Sequence, residues 1–455
     1  MRAIASAIVL LLLLALPCSA RAGNLSVLLC NNVNVDLFDC FDLVVLYNST
    51  NGDNWINNSN WGTPDVDSWH GVIVNPLTGR VIALDLALNG LNGPFPPEWR
   101  GLQALEFLQL SSNGIDGELP SYLGNLTALK LLQIGFNNLE GPLPASLGNL
   151  TQLDNLFLGG NRFSGQIPAT FGNLTQLEVL NLFSDGFDAG ERLSGPLPDL
   201  SGLTRLQRLD LRSNDIEGPL PGYLDQMPDL EQLHLDGNSF SGSLPANIGL
   251  LSKLQSLDLA GNQLSGAIPA SLGNLAMLEE LELSFNDFSS TLPTSLGNLS
   301  ALRKLRIAGA PVGLLADRQA ITGPIPHQLA NLSQLEELNL GFNQLSGRLP
   351  ACLGNLPALT VLNLQANDIE GPVPDAFTLL DLDVFYVGAN LLESDTGQQL
   401  VLSPSVQTWF NAIPETVAII PGFGFLSSTT QRALPMNPDA IFNSGFEAEP
   451  SNACG

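Results

Sequence analysis

The residues able to do chemistry in this 455-residue chain are three histidines, five cysteines and 44 acidic side chains set against only 17 Lys and Arg. His70, His234 and His327 are far apart, and no phosphate loop or H-E-x-x-H motif accompanies them, so neither a metal cluster nor a nucleophilic triad is expected. His234 lies two residues from Asp236, an acid and base by type, but as a pair of exposed polar groups on one strand face they need no catalytic role. Two facing carboxylates would suit glycoside chemistry, yet an acidic surface offers so many that none is singled out. The reading is a non-enzyme with no cofactor and no metal. A formal net charge of −27 has the wrong sign for neutralising phosphates, which excludes nucleic-acid partners.

The order of residues 1–22, with Arg2, the apolar run Ala7–Leu16 and the small-residue end Ala20-Arg21-Ala22, is that of a cleaved export signal. The run falls short of the ~20 apolar residues a bilayer span requires, so a secreted chain without a transmembrane span is expected. Loss of Cys18 with the signal leaves Cys30, Cys40, Cys352 and Cys454, for which three pairings exist; Cys30 with Cys40 and Cys352 with Cys454 is favoured. A zinc site is disfavoured, because these cysteines have no histidine nearby.

A repeat of 24 residues must position everything else. The second leucine of each copy falls at Leu84, Leu108, Leu132, Leu156, Leu180, Leu209, Leu233, Leu257, Leu281, Leu305, Leu338, Leu362 and Phe385, giving 13 repeats. The alternation Leu132-Gln-Ile134 is that of a half-buried strand. One strand per repeat stacks into a parallel sheet, roughly 60 Å long at ~4.8 Å per strand. A recurrent Asn, as at Asn137 and Asn262, is expected to satisfy backbone groups where the chain turns inward. Gly141 and its equivalents serve conformations closed to other residues, and Pro144 and its equivalents hold extended chain on the outer side. No coil can bury its leucines alone, so neighbours supply the core of an α/β repeat solenoid.

The runs Leu139-Glu-Gly141-Pro-Leu143-Pro144 and Leu264-Ser-Gly266-Ala-Ile268-Pro269 resemble the plant-type leucine-rich repeats, over roughly residues 81–392. Similar repeats build receptor-kinase ectodomains, polygalacturonase-inhibiting proteins and secreted bacterial proteins. The resemblance implies a right-handed superhelix with a concave parallel sheet, capped at both ends. The segment Leu46–Trp55, with Asn60-Trp61 and Trp69-His70-Gly71-Val72, looks like the family's N-terminal cap, assigned to residues 23–80. No cysteine follows shortly after Trp69-His-Gly-Val72, a departure from the plant form toward the microbial one.

Leu37, Phe38, Phe41, Val44 and Val45 predict a short amphipathic helix, and Trp55, Trp61 and Trp69 are expected to cover the first coil rather than form a sugar platform. Residues 393–434, with Trp409, Phe410 and Ile413, are read as the C-terminal cap and 435–455 as a flexible tail. Function is expected on outward strand positions: Phe107, Phe136, Phe157, Phe183, Phe285, Phe342 and Tyr386, read as one column, beside Asp210, Arg212, His234, Asp236, Asp258, Glu282 and Arg306. Two insertions after the strand, one with Phe187 and Arg192 and one with Leu315 and Arg318, replace the recurrent Asn by Asp185 and Ala310 and would flank a ligand ~24 Å apart. Arg208 with Arg212, and Arg303 with Lys304 and Arg306, interrupt the acidity. Eight N-x-S/T matches occur, at Asn24, Asn48, Asn57, Asn125, Asn149, Asn173, Asn298 and Asn331. The expected partner is a protein or peptide; the alternatives are a cell-wall glycan, a wall-degrading glycosidase to be inhibited, or an adhesive surface role.

Overall fold

Each repeat supplies one short strand to an inner sheet, six residues in the first repeat and three in the others, and hydrogen bonding along the solenoid joins them. The computed structural model describes residues 25, 29–30, 33–185, 192–309, 320–388, 390 and 404–417. The sheet has 15 strands: Val72–Asn75 pairs antiparallel with Arg80–Asp85, then one parallel strand per repeat follows to Val384–Tyr386, and Glu415–Val417 closes the far edge. Pairing is in register, Leu132 with Leu156 and Leu257 with Leu281, so the marker leucines stack into one buried row. Burying such a side chain contributes roughly 1.5–3 kcal/mol, and the row runs through one continuous apolar core.

Where the chain leaves the strand, the recurrent Asn carries the turn. Asn262 is buried; its Nδ2 donates to Leu259 O and, one coil back, to Leu235 O, both at 3.0 Å. Its Oδ1 accepts the Phe240 amide at 2.9 Å. Asn137 makes the same bonds to Leu110, Ile134 and Ile115. An amide serves here because one side chain satisfies acceptors and a donor at once.

Beyond that turn the L-x-G run forms a second layer, a finding the sequence reading did not contain. It consists of three parallel sheets, of four strands from Asn92–Pro94 to Arg162–Ser164, five from Ser194–Pro196 to Asp287–Phe288, and three from Thr322–Gly323 to Asp368–Glu370. The breaks fall at the two insertions, where, among the described residues, single bridges join Gly165 with Leu193 and Thr291 with Thr322. The inner sheet crosses both unbroken. The P-x-x-L-G-N segment then forms a short 3₁₀ turn such as Ala145–Asn149. Its glycine answers to crowding: a Cβ on Gly148 would lie 2.4 Å from Thr170 O in the next turn. Hydroxyls tie the stacked turns, Ser146 Oγ donating to Ser121 O and Thr170 Oγ1 to Ala145 O, each at 2.6 Å.

The N-terminal end is closed by the helix Leu37–Ser49, whose start is capped by the Asp36 carboxylate. Cys30 is disulfide-bonded to Cys40 across 5.7 Å between Cα atoms. Asp39, fully buried, accepts from the Arg80 guanidinium at 2.9 Å and from the Val81 and Leu102 amides at 2.8 and 2.7 Å, joining the helix to the first coils. Tyr47, Trp55, Trp61 and Trp69 pack ring on ring with centroids 4.8–5.5 Å apart. All three indole N–H groups donate to backbone carbonyls and all three rings are buried, so they cover the first coil and offer no platform to a sugar. At the other end, the helix Pro404–Phe410 lays Trp409 and Phe410 against Phe385 at 5.5 and 5.9 Å. The export signal, the tail and Cys454 lie outside the described residues, and with Cys454 the pairing expected for the buried Cys352.

Candidate functional site: the concave face

The three-residue strands leave every second side chain pointing away from the leucine core. Register joins one outward position per coil into a strip that reads Gln133, Phe157, Asn181, Asp210, His234, Asp258, Glu282, Arg306, Asn339, Asn363 and Tyr386.

The outward aromatics do not form the single column expected. Only Phe157 and Tyr386 lie on this strip; Phe107 precedes its marker leucine on the strand, and Phe183 lies beyond the strand in the row of Arg212 and Asp236. Phe136, Phe285 and Phe342 stand in the turn just before the recurrent Asn, with left-handed φ of 55°, 59° and 56°. The cause is geometric: the chain bends between strand and Asn, so successive outward positions splay into separate rows. The same turn position holds Gly160, Gly237 and Gly261 in other coils, where left-handed backbone carries no steric penalty.

Bending brings three of the rings together. Phe136, Phe157 and Phe183 meet with centroids 5.5–6.3 Å apart, and Phe136 is 49% exposed. Glycines make the floor they lie on: a Cβ on Gly135 would stand 2.0 Å from the Phe157 ring, and one on Gly159 2.4 Å from Phe183. The sequence reading missed this floor, although the glycines at Gly135 and Gly159, one repeat period apart, were its signal.

The Arg212 guanidinium lies 5.0 Å over the Phe183 ring and 3.4 Å from Asp210. Asn181, 6% exposed and also missed, donates from Nδ2 to Asp210 at 3.1 Å, while its Oδ1 accepts no hydrogen bond. Farther along, a cavity of about 190 Å³ is lined by Arg212, His234, Ser256, Asp258, Glu280, Glu282, Lys304 and Arg306. Its cations are engaged: Lys304 with Glu280 at 2.6 Å, and Arg306 with Glu337 and, at 3.7 Å, Glu282. Arg303 likewise pairs with Glu336, so Arg303, Lys304 and Arg306 are not a free cationic patch.

Among the described residues Asp236 and Asp258 form no ion pair. Burial, then the charge of Asp236, pushes Asp258 up to about 7. Burial also raises Asp236 and Glu282 and lowers His234, which meets Ser256 Oγ at 2.9 Å and stays neutral near pH 7. His70 sits in the cap and His327 on an outer turn. Among the described residues no group of three or more His, Cys, Asp or Glu is placed to hold a metal ion, and no helix is long and apolar enough to cross a membrane. Of the insertion residues, Arg192 lies 3.6 Å from Asp215, whereas Phe187, Leu315 and Arg318 fall outside the described residues.

These features define a parallel solenoid with a ring-bearing, charged concave sheet. The leucine-rich repeat region family matches residues 80–238 and 194–347, and the chain belongs to that family, with repeats of the plant type. It is similar to the PEPR1–AtPEP1 structure, at 30% identity over 77% of this chain and 48% of that one, TM-score 0.68. A TDR receptor structure is 33% identical over 69% and 52%, TM-score 0.63. The Arabidopsis receptor kinase HAESA in complex with the peptide hormone IDA and the co-receptor SERK1 is 30% identical over 77% and 70%, TM-score 0.51. The chain spans about half the length of the first two. No curated protein matches it.

Proposed function

We propose that this chain is a secreted, non-catalytic scaffold that recognises a protein or peptide on its concave sheet. The observation that carries the reading is the cluster of half-exposed Phe136 with the partly buried Phe157 and Phe183 on its glycine floor, continued by Arg212. Rings held open to water are costly to a monomer and are enriched where partners dock. Support also comes from HAESA and PEPR1, whose structures hold a peptide hormone and AtPEP1 on the same fold. The cap tryptophans, buried with their N–H groups satisfied, offer a glycan no aromatic platform.

The test is capture from the native secreted proteome by the purified chain, alongside a glycan array. A Phe136→Ser, Phe157→Ser, Phe183→Ser variant is expected to lose at least ten-fold in partner affinity while its melting curve stays intact. Full retention of the partner by that variant, or binding confined to glycans, would overturn the proposal. Secretion is checked by N-terminal sequencing of the mature chain, expected to start near residue 23.

A further inference from the structure

The concave strip changes character along its length. Rings occupy the coils of Leu132, Leu156 and Leu180, and four strand steps after Phe157 the strip reaches Asp258, at the cavity. At ~4.8 Å per step this is roughly 19 Å, the reach of about five or six residues of extended chain.

The two ends offer a peptide different things. At the ring end, Asn181 Oδ1 is buried without a donor and sits over the floor, where a Cβ on Gly159 would lie 2.2 Å from it. That atom is closed to solvent and out of a ligand's reach, so what this end presents is the rings themselves. At the cavity end the balance is electrostatic. Arg212, Lys304 and Arg306 are already spoken for by Asp210, Glu280 and Glu337, and His234 is held neutral. Among the described residues Asp258 and Asp236 make no ion pair of their own, and Glu282 stands 3.7 Å from an Arg306 that is paired with Glu337. A cavity of about 190 Å³ admits one long side chain carrying a positive head.

We infer that the strip takes one extended peptide segment bearing an apolar side chain against Phe136, Phe157 and Phe183 and, about five residues away, a lysine or arginine beside Asp258 and Glu282. This rests on the concave-face reading above and gives it a ligand chemistry: an apolar anchor followed by a cation, the sign that a chain of net charge −27 attracts.

The probe is the acetylated, amidated hexapeptide Phe-Ala-Ser-Gly-Ala-Arg, titrated calorimetrically into the full chain. Two controls accompany it, one with citrulline for arginine and one with alanine for phenylalanine. Citrulline keeps the shape and removes the charge, and is expected to weaken binding at least ten-fold. Asp258→Asn should abolish the preference for arginine over citrulline while leaving the preference for phenylalanine over alanine. Because Asp258 titrates near 7 among His234, Asp236, Glu280, Glu282, Arg212, Lys304 and Arg306, arginine-peptide affinity should fall several-fold from pH 8 to pH 6 in the wild type. Glu282→Gln is the second variant should Asp258→Asn lower the melting temperature. Equal binding of the citrulline peptide, no measurable binding of either peptide, or a preference unchanged in both variants overturns the inference. A native partner lost by the ring variant but untouched by Asp258→Asn sinks this inference alone; one kept by the ring variant sinks the concave-face reading itself.

Discussion

Asn262 shows how much one side chain carries in such a coil. Replacing it with Ala strands the Leu235 and Leu259 carbonyls and the Phe240 amide in the interior, at about 1–3 kcal/mol for each buried group left unpaired. Asn262→Ala is therefore expected to cost on the order of 3 kcal/mol in urea unfolding, with the Phe240 amide losing its hydrogen-exchange protection. Phe285 makes the opposite case. Its ring is 47% exposed on a left-handed backbone that costs a non-glycine residue roughly 1–2 kcal/mol. Phe285→Gly relieves that strain, adds ~0.5–1 kcal/mol of chain entropy and gives up half a ring's burial, so the unfolding free energy should move by less than ~1 kcal/mol. Leu281→Ala, in the core on the strand of the same coil, should cost ~2–5 kcal/mol. If Phe285→Gly proved as damaging as Leu281→Ala, the ring would be a core residue and not a surface held for a partner. The leucines and the recurrent Asn were legible because each answers to its own repeat. The assignment of the aromatics to one row was not, since that depended on where the chain bends.

At the level of elements, the cap helix and the first coil meet at two aspartates with opposite behaviour. Asp39 is compensated by Arg80, whereas Asp42, buried and bonded to the Gly101 amide, is pushed up to about 7 by its desolvation. A carboxyl raised in the folded state binds its proton more tightly there than in the unfolded chain. Its contribution to stability is complete below about pH 4 and is lost as pH rises through about 7. Asp42→Asn should thus raise the stability of the cap at pH 8 by on the order of a few kcal/mol, the gap from wild type closing below pH 4. A gap constant across pH would remove the titration as its cause. Both aspartates lay in view within the predicted helix; which of them would find a cation depended on Arg80, 41 residues on. The second layer of strands escaped the sequence reading because L-x-G runs are short and gain a partner only from the neighbouring coil.

For the whole molecule, contacts between neighbouring coils govern how it comes apart. A solenoid is held by contacts between adjacent repeats, so damage at one end stays near that end. Trp409→Ala removes the ring and its hydrogen bond to Leu380 O from the last coil. Hydrogen exchange should then quicken around Val384–Tyr386 and Val361–Asn363, with the coils before the first insertion unchanged. Uniform acceleration along the chain would instead mean that the solenoid unfolds as a single unit. The insertions bear on the same point. They divide the outer layer into three sheets and leave the inner sheet whole, so the concave surface spans both interruptions.

The sequence by itself determined the coil: period, strand, buried leucines, turn Asn and the two caps are each demanded by burial and backbone satisfaction within one repeat and its neighbour. Tertiary structure alone decided what the concave face presents. Whether a ring lies on glycine, a carboxylate finds a cation, or an arginine is already paired depends on residues of the neighbouring coil, 22 to 33 positions away in the cases of Gly135 with Phe157 and Arg303 with Glu336. A period read along one chain says that such neighbours exist; only the stacked coils say how far apart they stand and what charge is left over.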